Sequence, residues 1–134
     1  MNNPQPRVLL VDDDRSLLRL LSMRLMAAGY EVLAVESGEQ ALDQLPEFLP
    51  HIMITDLKMG GMDGMELYEK ASRRFPDLPV LILTAHGTIP DAFAAASRGV
   101  FSYLTKPYSS QVLLEQMDRA LKTGHEPVAG AGRN

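Results

Sequence analysis

Cysteine is absent from the 134 residues, which excludes disulfides, thiolate metal sites and a cysteine nucleophile. No apolar run approaches the roughly 18 residues that a membrane span requires. The three histidines, His51, His86 and His125, have no ligand-like spacing, so no histidine metal site is expected. Positive charge is not in excess: 13 Lys+Arg against 17 Asp+Glu leave a net of −4. That balance argues against direct nucleic acid binding by this segment. The opening Met-Asn-Asn-Pro-Gln-Pro-Arg lacks the apolar region of a signal peptide, so the expectation is a cytoplasmic protein with no membrane contact. What remains is a mildly acidic chain, 46% hydrophobic and about the length of one ordinary domain.

Punctuation divides that chain into repeating units. Val8-Leu9-Leu10-Val11 is a short apolar run that stops at Asp12-Asp13-Asp14, as suits a strand buried on both faces of a parallel sheet. Leu17, Leu18, Leu20, Leu21 and Leu25 then recur at helical spacing, with Gly29 where a C-cap belongs. A second strand is expected over 30–35. Ser37-Gly38-Glu39-Gln40 has capping-box spacing and starts a helix through Ala41, Leu42 and Leu45. The alternation continues with strands over 52–55, 80–83 and 101–104. Helices are expected over 64–75 and 89–98, the latter closed by Gly99, and from a Ser109 or Ser110 cap to Leu121. Asn3 to Arg7 reads as a frayed leader, and 123–134, rich in Gly, Ala and Pro, as a flexible tail or the start of a linker.

Five strand–helix pairs in series imply an α/β fold: a parallel sheet with right-handed crossovers and helices on both faces. Ligands of such sheets sit beyond the carboxyl ends of the strands. Those ends deliver Asp12, Asp13 and Asp14 from the first strand, Asp56 from the third, Thr84 from the fourth and Lys106 just past the fifth. Asp is a common helix N-cap, which accounts in part for Asp14 or Asp13. It does not account for Asp56, followed by Leu57-Lys58-Met59 rather than a helix. Converging carboxylates repel unless a cation relieves them, and a hard divalent ion with oxygen ligands, most simply Mg²⁺, is the economical one. Mg²⁺ beside a carboxylate, a hydroxyl and an ammonium describes phosphoryl transfer. The ammonium and hydroxyl would meet phosphoryl oxygens, and a carboxylate can attack phosphorus to form an aspartyl-phosphate. Pro107 restricts Lys106 and permits a cis turn, which sets this lysine apart from an ordinary surface residue.

These residues resemble the receiver domain of two-component response regulators over about 7–122. The segments that carry the likeness are Val8 to Asp14, Thr55-Asp56-Leu57-Lys58-Met59, Met62-Asp63-Gly64, Leu83-Thr84-Ala85-His86 and Tyr103-Leu104-Thr105-Lys106-Pro107. Their spacing agrees too, with 43, 28 and 22 residues separating Asp13, Asp56, Thr84 and Lys106. The resemblance implies a flavodoxin-like (CheY-like) doubly wound five-stranded sheet in the order 2-1-3-4-5. It makes Asp56 the phosphoacceptor, Asp13 a direct Mg²⁺ ligand, Asp12 a ligand through water and the Lys58 carbonyl a further ligand. Thr84 becomes the switch hydroxyl, Tyr103 the switch aromatic and Lys106 the phosphate-binding lysine. His86 and Lys58 would tune phosphoryl lifetime, or are ordinary surface residues. Met59-Gly60-Gly61 replaces the family's usual Met-Pro-Gly, and the extra glycine is expected to loosen that loop.

The implied partner is a sensor histidine kinase, and the implied role is signalling rather than metabolic catalysis. Within the family, Thr84 to Ala92 and Gly99 to Leu104 are similar to the NtrC-like sigma-54 activator group, with wording nearest its GlrR/QseF branch. Such receivers precede AAA+ and DNA-binding output domains in a longer chain, and a homodimer is a further possible assembly. A haloacid-dehalogenase-like phosphatase is the alternative from another class, with Asp12 as nucleophile. It leaves Asp56 without a role and lacks an acidic motif after Lys106, since Glu115 and Asp118 fall in the last helical pattern. A stand-alone receiver or non-phosphorylated adaptor is the third reading, and a flavin-binding flavodoxin fits less well because no phosphate loop follows the first strand. Met53, Met59, Met62 and Met65 are expected to fill core and loop.

Overall fold

A period of two within each strand decides the layering. In the computed structural model, which describes residues 5–85 and 87–123, the strands are β1 (Arg7–Val11), β2 (Glu31–Val35), β3 (Ile52–Thr55), β4 (Val80–Thr84) and β5 (Ser102–Thr105). All pair in parallel, in the order β2-β1-β3-β4-β5. Odd and even residues point to opposite faces. Val8, Leu10, Ile52, Ile54, Leu81 and Leu83 therefore build one core, and Leu9, Val11, Met53, Val80 and Ile82 the other.

Helices cover both faces. The first core is closed by α1 (Arg15–Ala27) and α5 (Ser110–Thr123), the second by α2 (Gly38–Phe48), α3 (Gly64–Arg74) and α4 (Ile89–Arg98). Each strand residue buried on such a face contributes about 1.5–3 kcal/mol relative to exposure. The sheet is thus held by apolar area on both sides, which leaves its carboxyl-end rim free to carry charge.

Caps set where the helices begin. Asp14 accepts from the amides of Ser16 and Leu17, Ser37 from Gln40, Asp63 from Glu66, Thr88 from Asp91 and Ser109 from Val112. The expected box at α2 is displaced by one residue, because the Gln40 side chain accepts from the amide of Glu36 rather than that of Ser37. Gly29, at φ +102°, follows the α1 cap Ala28, whereas Gly99, at φ +111°, is itself the α4 cap.

Two expectations shift. β5 starts at Ser102 rather than Phe101, since the ladder with β4 opens at Leu81↔Ser102 and the Phe101 ring is partly exposed. The α1 leucines divide: Leu18 and Leu25 are buried while Leu17 and Leu20 face outward. In the Met59-Gly60-Gly61 loop the Gly60 amide donates to Asp13 Oδ2 at 3.0 Å. Met53 is buried, and Met59, Met62 and Met65 pack against the second core. The expectations for Asn3, His86, His125 and most of the 123–134 tail lie outside the described residues.

Candidate functional site

Sheet register brings the carboxylates together. Val11 pairs with Thr55, so Asp12 and Asp56 leave adjacent strands side by side. The Asp56 amide donates to the Val11 carbonyl at 3.0 Å, extending that ladder one step beyond β3. On the other flank Thr55 pairs with Ile82, which puts Thr84 two steps further along β4. Thr84 pairs with Thr105, and its carbonyl accepts from the Lys106 amide at 2.8 Å, so Lys106 starts from the same rim. The Lys106–Pro107 peptide bond is cis.

Lys106 closes the site. Its Nζ lies 3.3 Å from Asp12 Oδ2 and 3.8 Å from Asp56 Oδ2, with the lysine side chain 19% exposed and the two aspartates 12% and 11%. One ammonium thus offsets two largely buried carboxylates, where the low dielectric strengthens each attraction. Asp12 remains raised above its ordinary pKa. Burial is the largest cause, opposed by the Asp14 amide and Lys106 and reinforced by the charge of Asp56.

Each carboxylate has one oxygen held by backbone. Asp12 Oδ1 accepts from the Asp14 amide at 2.9 Å, and Asp56 Oδ1 from the Leu57 amide at 2.6 Å. These amides fix the rotamers and turn both Oδ2 atoms toward Lys106. Asp13 is exposed and its Oδ2 accepts from the Gly60 amide, and Lys58 lies in the exposed loop two residues past Asp56. Among the described residues, no three carboxylates or imidazoles are grouped closely enough to hold a metal as they stand. The donor set of hard oxygens nevertheless suits Mg²⁺, and the site already requires a cation, a place that the Lys106 ammonium fills. His51 stays outside it, with Nδ1 accepting from the Arg7 amide at 2.9 Å.

Tyr103 points inward from β5 and packs against the second core. Its hydroxyl is buried with no hydrogen-bond partner among the described residues. Burial raises its pKa, followed by the charges of Asp91 and Asp56. A Cβ on Gly87 would overlap that hydroxyl and lie 2.7 Å from the ring's Cε1 and 3.0 Å from Thr84 Cγ2. Gly87 is therefore the wall against which the tyrosine rests. Sequence reasoning did not single it out. Gly64 has a comparable role, since a Cβ there would run into the Asp56 carbonyl and lie 3.0 Å from Leu57 Cα. The match at Met62-Asp63-Gly64 was the available signal for it.

Known proteins carry the same plan. The sequence profile of the response regulator receiver domain matches residues 8–118. The transcriptional regulatory protein GlrR of Escherichia coli K12 is 47% identical over 122 residues, covering 91% of this chain and 28% of that protein. The DNA-binding transcriptional regulator NtrC of Klebsiella pneumoniae is 38% identical over 112 residues, covering 84% and 24%. This chain thus spans about a quarter of the curated relatives it matches. A receiver domain protein from Clostridium thermocellum superimposes with a TM-score of 0.83 at 31% identity, covering 87% of this chain and 94% of that one. The chain belongs to the response regulator receiver domain family.

Proposed function

We propose that this domain, taken as residues 7–122, is the phosphorylatable switch of a two-component system. Asp56 accepts a phosphoryl group from a phosphohistidine on a sensor histidine kinase, and the resulting change of shape controls an output. By its likeness to GlrR and NtrC, that output is sigma-54-dependent transcription, executed in the cytoplasm by AAA+ and DNA-binding domains of a longer chain. The observation that carries the reading is the Lys106 ammonium set between Asp12 and Asp56 at the strand rim.

Each residue has a task in the transfer. Asp56 Oδ1 is held by the Leu57 amide, so Oδ2 is the oxygen presented to phosphorus. It forms the new P–O bond as the P–N bond to the kinase imidazole breaks, and the ring, protonated beforehand on its other nitrogen, keeps that electron pair and leaves as neutral imidazole. Lys106 then leaves the carboxylates to pair with a phosphoryl oxygen, and the Thr84 hydroxyl donates to another. Asp12, Asp13, Asp56 and the Lys58 carbonyl would hold Mg²⁺, with Asp13 giving up the Gly60 amide. When bound, that ion neutralises charge on the phosphoryl oxygens and the acidic rim. Movement of Thr84 is felt by Tyr103, which lies against the same Gly87 wall. The activated face then contacts an output domain or a second copy.

The phosphatase reading is not favoured. Glu115 and Asp118 lie on α5, and Asp118 pairs with Lys122 at 3.0 Å, so neither extends the acidic rim. Intact-mass measurement after treatment with acetyl phosphate and Mg²⁺ tests the proposal. The chain should gain one hydroxylamine-sensitive phosphoryl group, and Asp56→Asn none. Equal labelling of the two proteins would reject Asp56, and label on Asp12 would restore the phosphatase.

A further inference from the structure

Helix α4 is held unequally at its two ends. Its N-terminal cap, Thr88 Oγ1 to the Asp91 amide at 3.1 Å, is local and binds the helix to nothing else. In its first half Ile89 and Phe93 are 86% and 75% exposed, and across the whole helix only Ala95 is buried. The C-terminal end is fastened to α3. Tyr68, a buried residue of the second core, donates its hydroxyl to the Arg98 carbonyl at 2.9 Å.

That carbonyl is one of the acceptors left without an intrahelical partner at a helix C-terminus. The bond is partly shielded from water, and the tyrosine hydroxyl supplies the donor that the helix end itself lacks. Gly99 makes the approach possible, since a Cβ there would lie 2.5 Å from the hydroxyl. The neighbouring Glu69 also reaches Arg98, but that ion pair is exposed on both sides and worth little. Of the two links from α3, the hydroxyl is the stronger.

We propose that Tyr68 is a positioning residue: its hydroxyl pins the C-terminal turn of α4 to α3, so that a change at Thr84 swings the helix's N-terminal half about that pin. The swing rests on the phosphorylatable-switch reading, whereas the pin itself can be tested without it. Thr84 ends β4 and Thr88 caps α4, so only three residues of sequence separate the switch hydroxyl from the loosely held half. A shift there is taken up by Ile89 to Phe93, where little packing resists it, and stops at Arg98. The output surface is then an exposed apolar edge that tilts, rather than a helix that slides.

Tyr68→Phe removes one oxygen and keeps the ring, so the core should survive it. In the free protein, the amides of Gly99 and Val100, which donate to Ala96 and Ala95, should exchange with solvent about two- to tenfold faster. With Mg²⁺ and beryllofluoride, wild-type amide shifts should change over 87–95 and fade by 98–100. In Tyr68→Phe they should extend through Phe101, while acceptance of phosphate from acetyl phosphate stays within about twofold. Glu69→Gln, the control, should behave as wild type. Unaltered exchange and an unaltered shift profile in Tyr68→Phe would overturn the pin, as would a Glu69→Gln protein with the same defect. A wild type that responds nowhere to beryllofluoride would instead sink the switch reading and the swing, and the exchange comparison would still decide the pin.

Discussion

Asp12 sits where burial raises its pKa, and the Asp14 amide and the Lys106 ammonium restore the charged form only in part. The sign of the linkage follows. With its folded pKa above the unfolded 3.8, the folded chain binds this proton more tightly, and stability falls as pH rises through that window. At neutral pH the cost is fully present. Asp12→Asn keeps an oxygen for the Asp14 amide and removes the buried charge. In metal-free buffer it should melt higher than wild type at pH 7, and the gain should vanish below about pH 3.8, where both states are protonated. An equal or lower melting temperature at pH 7 would show that the Lys106 pair outweighs the burial of the carboxylate.

Elements were more legible than the contacts between them. Apolar runs ended by Asp12, Asp56 and Thr84 marked three strand ends, because a strand buried on both faces admits polar groups only at its rim. Parallel order then brought those ends together. The residue that closes the site, Lys106, followed from its place just past the fifth strand and before Pro107. Its lean toward Asp12 over Asp56 did not, since a pair separated by 94 residues leaves no periodic trace. Tyr68 on Arg98 and the Gly60 amide on Asp13 were hidden for the same reason. Which α1 leucines face outward, Leu17 and Leu20, was not legible either, because helical spacing gives a stripe but not its width. Gly87 is the clearest case, as its meaning lies in a ring carried by another element. Gly87→Ala should expel Tyr103 from beside Gly87, for among the described residues no hydrogen bond holds the phenol there. Its titration, followed by NMR, should then fall toward the ordinary 10.0 from its raised wild-type position. Identical titrations in the two proteins would mean that the loop yields instead of the ring.

For the whole molecule, the rim joins elements that the two cores hold from below. Asp12 follows β1, Asp56 follows β3, Thr84 ends β4 and Lys106 follows β5, so an anion bound among them cross-links most of the sheet. A ligand that binds only this folded arrangement stabilises it by about 2.7 kcal/mol at a hundred times its dissociation constant. For a domain of this length that corresponds to roughly 10 °C in melting temperature. Wild type should show such a rise with Mg²⁺ and beryllofluoride, and Asp56→Asn should show none. Thr84→Ala loses one neutral hydrogen bond to the anion and should keep most of the rise, although it fails to move Tyr103. Lys106→Ala loses the cation that faces the anion, and a charge-assisted contact is about twice as strong as a neutral one. It should lose most of the rise and should also melt lower without ligand, because Asp12 and Asp56 are left facing each other uncompensated. A Lys106→Ala protein with the full wild-type increment would show that the ammonium serves the unphosphorylated rim and takes no part in holding the phosphoryl group.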